Sequence, residues 1–378
     1  MKVLVVGAGF AGVAAAFAAR RAGAAVMLVH SGAGSSALYA GVVDGLLPLE
    51  QQPASLAELS VALGLRVAPG SVVATREGVV RAAGGSDAAV LDLAPLAGKR
   101  IAVVDVPRDD WDAPLLARAF AESEWARASG TRFELVPLEL LEKSFQRRVS
   151  PFDFACSFER AERPAWLAAS LKAAAGPDAW LLGPWLGVKR RLASELSASV
   201  GVPVGEVTSP PGGVAGARFE AARDALLGAL EVEVVPSRAT GVRQAAAGVV
   251  LGLSDGRELT GDALVLAVGG FVSGAVRLSG ALSGAEPAGF GLELAGLPAV
   301  RTRGEPVGRV SSLFGVDLAA HGQHLLERVG LAFEAHGRIL GAPRVFGAGD
   351  LLAPEPPSVG HALLSGLRAG LGAAAVGG

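Results

Sequence analysis

Residues 2–12 read KVLVVGAGFAG, and this stretch decides the fold of the chain. Val3–Val6 is an uninterrupted apolar run, which predicts a strand buried on both faces of a parallel sheet. Three glycines follow at the G-x-G-x-x-G spacing, namely Gly7, Gly9 and Gly12. An Ala-rich helix is predicted over 11–22 and a second strand over 25–29, which completes a βαβ unit.

The glycine spacing has a chemical reason. One glycine makes the tight turn from strand to helix, one lets backbone N–H groups approach a pyrophosphate, and one lets the helix pack closely on the strand. The helix N-terminus adds positive potential for phosphate groups. The pattern therefore predicts a dinucleotide or flavin site, and the alternative is a glycine turn with a purely structural role.

The acidic residue of this fingerprint is missing. The second strand of this motif normally ends in Asp or Glu, about 20 residues after the glycines, and that carboxylate hydrogen-bonds a ribose hydroxyl. Here the position holds His30, followed by Ser31. Both can form hydrogen bonds, so both are candidate cofactor contacts, but neither holds a diol as a carboxylate does.

The loop after the second strand is rich in small residues. We expect Ser36, Ala37 and Gly41 to let the backbone pass close to a flat ring system, which makes them candidate cofactor contacts. The alternative is a flexible loop of ordinary turn composition.

A second cofactor signal lies near the end of the sequence. The strand RVFG (344–347) runs into Ala348-Gly349-Asp350, and a helix is predicted over 361–372. Asp350 is expected to accept hydrogen bonds from ribityl hydroxyls, and the helix dipole to stabilise an anionic reduced flavin. A further apolar strand is predicted over 263–268, and a pair of glycines follows it. The predicted contacts at this end are Gly269, Gly349, Asp350 and Gly360. Together with the N-terminal glycines they favour a flavin, FMN or FAD, over nicotinamide.

The middle of the chain shows a separate α/β alternation, which predicts an inserted parallel α/β domain over 99–208. Within it, one helix is predicted over 113–128. All five tryptophans lie in this segment, where they either pack in a core or line a partner surface. The predicted fold class is α/β: a discontinuous Rossmann-like FAD/NAD(P)-binding flavoprotein fold formed by 1–98 and 209–378, interrupted by the inserted domain.

Composition excludes several classes of function. Net charge is −2 with no basic block, so nucleic acid is not an expected partner. Cys156 is the single cysteine, which excludes an internal disulfide framework and an iron–sulfur cluster ligated within this chain. Met1 leads directly into the first strand, and no apolar run reaches the ~20 residues needed to span a bilayer. We therefore expect a soluble cytoplasmic chain.

The chain resembles the B subunit of the anaerobic glycerol-3-phosphate dehydrogenase over residues 2 to about 370. The resemblance rests on the order and spacing of GAGFAG (7–12), SALYAGVVDGLLP (36–48), KRIAVVDV (99–106), SPPGGVAGARFEAARDAL (209–226), VLAVGGFVSGAVRL (265–278), TRGEP (302–306) and the final strand–Gly–Asp segment. The family carries a Gly- and Cys-containing stretch before the last helix, where this chain has PEPPSVGHALLSG (354–366).

The resemblance implies a flavin-binding protein, usually with FMN, that works with a catalytic A subunit, which carries FAD, and with an iron–sulfur C subunit. Such a complex oxidises glycerol 3-phosphate to dihydroxyacetone phosphate and passes electrons to quinone in anaerobic respiration. It lies on the cytoplasmic face of the inner membrane, so this chain would be peripheral to the membrane through its partners.

Oxidation of a secondary alcohol needs a base, and a phosphate substrate needs cations. The candidates are His361, His321 and His324 as bases and Arg303, Arg301 and Arg309 as cations, of which His361 and Arg303 are the preferred pair. The alternative for His361 is a structural role in helix capping or packing. Three functions stay open: a flavin subunit of a quinone-linked dehydrogenase, a stand-alone FAD oxidoreductase of the fumarate reductase or amine oxidase type, and a flavin-free scaffold.

Overall fold

The structure is a computed structural model. It describes residues 1–46, 48–174, 176–245, 247–270, 273–279, 289–297, 301–302, 305–306, 329–352 and 358–376. Two compact units make up the chain. The first comprises Met1–Ser36, Gln52–Leu59 and Arg223–Gly378, and the second comprises Ala37–Gln51 and Ser60–Ala222.

The described α-helices are α1 (Phe10–Arg21), α2 (Ala54–Ala62), α3 (Ala113–Ala121), α4 (Glu124–Ser129), α5 (Pro151–Ser157), α6 (Arg163–Ala173), α7 (Leu192–Val200), α8 (Val214–Ala229) and α9 (Val359–Ala374). The described strands are β1 (Lys2–Val6), β2 (Ala25–His30), β3 (Val42–Val43), β4 (Leu65–Ala74), β5 (Val80–Asp87), β6 (Arg100–Asp105), β7 (Arg132–Pro137), β8 (Ala179–Leu182), β9 (Val204–Glu206), β10 (Glu233–Pro236), β11 (Ala239–Ala245), β12 (Gly248–Leu253), β13 (Glu258–Gly261), β14 (Ala263–Leu266), β15 (Val276–Ser279), β16 (Gly289–Leu292), β17 (Arg301–Thr302), β18 (Glu305–Pro306), β19 (Val329–Gly330) and β20 (Val345–Gly347).

The first unit is organised around a five-stranded parallel sheet in the order β10-β2-β1-β14-β20. β1 lies at its centre, and Val3–Val6 are buried as their apolar run predicts. The predicted α/β fold class is confirmed. The strand, glycine loop and helix of residues 2–21 stand where the sequence places them, with α1 beginning at Phe10 rather than Ala11.

Helices α1 and α9 cross at unusually short range because glycine occupies the contact positions of α9. A Cβ atom on Gly366 would lie 2.3 Å from the carbonyl oxygen of Ala11, and one on Gly370 would lie 2.3 Å from that of Ala15. This close crossing brings the N-terminus of α1 and the N-terminal half of α9 together beside the same sheet.

Smaller antiparallel sheets complete the first unit. β11, β12 and β13 form one, with a turn at Asp255-Gly256, where the φ angle of Gly256 is +83°. The others are the pair β15-β16 and the sheet β18-β17-β19.

The second unit contains a four-stranded parallel sheet, β7-β6-β8-β9, and an antiparallel sheet, β3-β5-β4. The single helix predicted over 113–128 is wrong, because Ser123 divides it into α3 and α4. The Ser123 hydroxyl donates to the Phe120 carbonyl and accepts from the Ala126 N–H, so it ends one helix and caps the next.

The tryptophans belong to the core of the second unit. Trp111, Trp180 and Trp185 are at most 5% exposed, while Trp125 and Trp166 are partly buried against the same core. The core-packing interpretation is therefore confirmed for these side chains.

The compact units do not divide at the predicted domain limits of 98 and 208. Residues 60–98 group with the inserted α/β segment because their backbones pair. Val90 forms a parallel bridge with Glu206, and the Leu91 N–H donates to the Glu206 carbonyl over 3.0 Å. As a statement about domains, the predicted limits stay a prediction. No described helix combines the length and apolarity that a membrane span requires.

Candidate functional site

A cavity of about 240 Å³ runs along the carboxyl edge of the parallel sheet in the first unit. All five strands of the sheet place residues from their carboxyl ends in its wall: Gly7 follows β1, His30 ends β2, Ser237 follows β10, Ala267 follows β14 and Ala348 follows β20. Open α/β sheets bind their ligands at this edge. The cavity is therefore the candidate site.

The glycine loop between β1 and α1 has no room for side chains. The φ angle of Gly7 is +106°, and a Cβ atom on it would lie 2.1 Å from the carbonyl oxygen of Ala267. A Cβ atom on Gly12 would lie 1.9 Å from the carbonyl oxygen of Gly7. The two glycines let helix, turn and neighbouring strand meet, which is the packing role that the fingerprint requires.

Gly9 and Ser36 meet at the N-terminus of α1. A Cβ atom on Gly9 would lie 2.7 Å from the Ser36 Oγ, and the Phe10 N–H donates to that oxygen over 3.1 Å. The first turn of α1 contains no acidic residue, so its positive end is not offset by a carboxylate of its own. These features suit an anionic group such as a pyrophosphate.

At the opposite side of the site, one buried serine connects β20 to α9. The Gly349 N–H donates to the Ser365 Oγ over 2.9 Å, and the Ser365 hydroxyl donates to the His361 carbonyl over 2.7 Å. The turn that carries Asp350 is thereby fixed to the first turns of the last helix.

The Asp350 carboxyl lines the cavity at a partly buried position. Burial raises its pKa above the usual range, and the nearby His361 partly opposes that effect. α9 itself begins at Val359, where the Ser358 Oγ accepts a hydrogen bond from the His361 N–H over 3.1 Å. Asp350 can thus accept hydrogen bonds from ligand hydroxyls at a helix N-terminus, where an anionic ring edge is stabilised.

Polar groups also gather where β2 and β10 end side by side. His30, Ser31, Ser237 and Arg238 line the cavity there, and Arg238 forms an ion pair with Glu293, another lining residue. The His30 ring contacts the Gly32 carbonyl at 3.4 Å through Nδ1.

The structure brings most of the predicted contacts together. The predicted residues that line the cavity are Gly7, Gly9, His30, Ser31, Ser36, Gly269, Gly349 and Asp350. Four do not line it: Gly12 and Gly360 lie in α1 and α9, and Ala37 and Gly41 belong to the second unit. Gly41 instead has a φ angle of +101° and packs near Val90 and Ala215. Their roles toward a cofactor stay predictions.

The catalytic candidates are less well placed. His361 stands beside Asp350 but is not a lining residue, whereas its neighbour Ala362 is. Arg303, Arg309, His321 and His324 lie outside the described residues, and only the strand backbone is described at Arg301.

Sequence reasoning missed Ser365, Arg238 and Glu293. Ser365 sits one turn after His361 in a predicted helix, so its spacing could have suggested a shared face. The Arg238–Glu293 pair joins segments that are distant in sequence, and no local sequence pattern predicts it.

Two family profiles match parts of the chain. Residues 2–87 match the family described as glucose inhibited division protein A, and residues 215–271 match the family described as FAD-NAD(P)-binding. The first range contains the glycine loop, and the second contains β10 to β14 and Gly269, so both fall on walls of the cavity. A search of curated proteins finds no significant match.

Solved structures that match the chain include the GidA-related protein from Thermus thermophilus, at 15% identity over 98% of this chain and 95% of that chain, with a TM-score of 0.36. The 3-ketosteroid delta1-dehydrogenase from Sterolibacterium denitrificans matches at 17% identity over 71% of this chain and 47% of its own, with a TM-score of 0.30. The peptidyl tryptophan dihydroxylase QhpG matches at 16% identity over 71% of this chain, with a TM-score of 0.25, and this chain spans 32% of its length.

The residues present fit a flavin. The loop excludes side chains where phosphates would lie, and a carboxylate and a helix N-terminus stand at the far end of the same cavity. With the FAD-NAD(P)-binding match on the same walls, the predicted flavin cofactor is confirmed.

Proposed function

We propose that this chain is an FAD-dependent oxidoreductase and the flavin-binding subunit of a quinone-linked glycerol-3-phosphate dehydrogenase. The observation that carries the oxidoreductase assignment is the cavity that joins the glycine loop to Asp350 at the start of α9. The dehydrogenase assignment is supported by the ordered motifs GAGFAG, KRIAVVDV and VLAVGGFVSGAVRL, which resemble the B subunit of that enzyme.

The extent of the cavity favours FAD over FMN. Its walls continue past the glycine loop to the ends of β2 and β10, where Ser31, Ser237 and Arg238 provide polar surface. A mononucleotide such as FMN ends at its phosphate and would leave this part of the cavity unfilled. A dinucleotide places its adenosine there.

When bound, a flavin supplies hydride acceptance and one-electron transfer to a redox partner. The chain's own residues bind and orient it. The Gly9 backbone would lie against the phosphates, next to the Ser36 hydroxyl that accepts from the Phe10 N–H. Asp350 would accept hydrogen bonds from the ribityl hydroxyls, and the N-terminus of α9 would stabilise negative charge on the ring. His361 is the proposed base for the substrate hydroxyl, with Arg303 as a phosphate-binding cation.

Electrons are proposed to leave through partner proteins. The chain's single cysteine, Cys156, cannot ligate an iron–sulfur cluster. The partners that the resemblance implies are therefore an iron–sulfur C subunit, which carries electrons onward, and the catalytic A subunit, which holds FAD. Through them the chain would be held at the cytoplasmic membrane face and linked to quinone.

Two measurements test the proposal. The purified chain should show flavin absorbance, and the nucleotide released on denaturation should be FAD at one per chain. A colourless chain that takes up no added flavin would leave only the scaffold function.

The second measurement is turnover. Proteins co-purified from the native host should reduce quinone with glycerol 3-phosphate, whereas the isolated chain should not. Equal rates for the isolated chain and the complex would show a stand-alone oxidoreductase. A complex that oxidises other substrates but not glycerol 3-phosphate would refute the dehydrogenase assignment alone.

A further inference from the structure

The end of the cavity where β2 and β10 end, which would hold the adenosine, lacks the carboxylate that usually binds the ribose. In dinucleotide-binding folds a carboxylate at the end of the second strand hydrogen-bonds the ribose diol. β2 ends in His30, whose ring instead contacts the Gly32 carbonyl. A chain that binds a dinucleotide needs another acceptor at this position.

The neighbouring strand supplies one indirectly. β10 runs parallel to β2 with Pro236 opposite His30, so the next residues, Ser237 and Arg238, emerge beside the ribose position. The Arg238 guanidinium pairs with the Glu293 carboxylate, and both side chains belong to residues that line the cavity. The pair therefore joins a carboxylate from after β16 to a side chain that follows β10, the strand next to β2.

Among the described lining residues, the carboxylates are Asp350 and Glu293. Asp350 follows β20 and Arg238 follows β10, the two edge strands of the sheet. Four interstrand spacings of ~4.8 Å separate these edges, about 19 Å in total. Glu293 is therefore the described lining carboxylate that is paired, through Arg238, with the β10 edge of the sheet.

We propose that Glu293, oriented by Arg238, hydrogen-bonds the ribose hydroxyls of the adenosine half of FAD and so replaces the acidic residue missing from β2. The assignment rests on the proposed binding of FAD. A carboxylate offers about four acceptor positions, so an ion pair with one guanidinium leaves room for two hydroxyl donors.

The ion pair also has an electrostatic reason. An uncompensated carboxylate in this cavity would repel the pyrophosphate bound at the glycine loop, because like charges destabilise each other at short range. Arg238 offsets that charge. Glu293 is the more buried partner, with its side chain 26% exposed against 52% for Arg238, which suits a group that contacts a ligand.

The test compares two flavins on one variant. Glu293→Gln keeps the shape of the side chain but removes its charge. We expect the dissociation constant for FAD to rise about tenfold, as for loss of a charge-assisted hydrogen bond, while that for FMN changes less than about twofold. Flavin fluorescence titration of the apo-protein measures both. Arg238→Gln should weaken FAD selectively as well, because it releases the Glu293 side chain.

Glu258→Gln is the matched control, since Glu258 pairs with Arg243 at an exposed place in the same unit. It should change neither constant. Equal weakening of FAD and FMN by Glu293→Gln would show a structural role, and unchanged FAD binding would show no role; either overturns the assignment while flavin binding stands. A parent chain that binds neither flavin refutes the proposed function itself.

Discussion

Gly9 is the residue at which the phosphate end of the site is easiest to test. In Gly9→Val the new side chain would begin 2.7 Å from the Ser36 Oγ, at the N-terminus of α1. We expect flavin occupancy, measured by absorbance after denaturation, to fall from one per chain to below about one tenth, since phosphate and side chain compete for one space.

Gly228→Val is the control for this change. Gly228 lies in α8, and a Cβ atom there meets nothing within 4 Å. Its occupancy should match the parent. Full occupancy in Gly9→Val would place the phosphate site elsewhere.

Asp350 is expected to lower the stability of the ligand-free chain while it strengthens flavin binding. Because burial raises its pKa in the folded chain, ionisation costs the fold free energy, and this cost grows as pH rises through the raised pKa. Asp350→Asn removes the cost. The ligand-free variant should therefore melt at a higher temperature than the parent at pH 7, and the difference should vanish as pH falls toward the usual Asp pKa of about 3.9.

The same variant should hold flavin about tenfold more weakly, because a neutral amide replaces a charged acceptor. Thermal melts between pH 4 and 8 and a flavin titration at pH 7 give both quantities. A variant that melts lower than the parent at pH 7, or that binds flavin as tightly, contradicts the role given to this carboxyl.

At the scale of elements, the junction of β20 and α9 depends on one hydroxyl. Ser365→Ala leaves the buried Gly349 N–H without its acceptor, which should lower the free energy of unfolding by about 1–3 kcal/mol. The freed turn should also weaken flavin binding, because Asp350 loses its fixed orientation. Denaturant unfolding and flavin titration measure the two effects.

Ser170→Ala provides the comparison for the junction. The Ser170 hydroxyl donates to the Trp166 carbonyl inside α6, where no backbone donor relies on it. This change should stay within about 0.5 kcal/mol of the parent. If Ser365→Ala were equally mild, the junction would owe its geometry to helix packing instead.

At the scale of the whole molecule, Arg218 ties together distant parts of the second unit. Its guanidinium donates to Glu206 over 2.7 and 2.8 Å, to Asp87 over 3.3 Å and to the Gly187 carbonyl over 2.8 Å. Burial raises the pKa of Glu206, and Arg218 opposes that rise. Arg218→Met leaves two buried carboxylates uncompensated, so we expect a loss of about 3–5 kcal/mol in unfolding free energy.

The loss should be larger at pH 8 than at pH 5, because without Arg218 the pKa of Glu206 rises further and ionising its carboxyl costs more as pH rises. Urea denaturation at the two pH values tests this. Arg243→Met, which breaks an exposed pair with Glu258, should cost less than about 1 kcal/mol. Similar losses for both variants would mean that the buried cluster adds no special stability.

The parallel sheet of the first unit was predictable because its strands β1 and β14 are buried on both faces. Val3–Val6 and 263–268 therefore read as apolar runs, and glycines mark where they end. The glycine loop and Asp350 could be placed at one edge for the same reason, since parallel strands end together.

What was not predicted has two physical causes. Ser123 divides a helix through local hydrogen bonds to residues three positions away on either side, which the prediction of one helix over 113–128 left out. Arg238 and Glu293 meet only because the fold brings two separate segments to one strand end. The two residues of such a pair follow no fixed spacing in the sequence, so local patterns do not predict them.

The glycine-lined crossing of α1 and α9 has a consequence for biosynthesis. The last residue of α9 follows that of α1 by about 350 residues, so at ~5–20 residues per second the ribosome completes α9 some 20–70 s after α1. Until then Ala11 and Ala15 lack the helix that covers them, and Asp350 lacks its serine anchor. We therefore expect the flavin to enter only a finished chain: nascent chains released before residue 358 should carry none, however much flavin the cell provides.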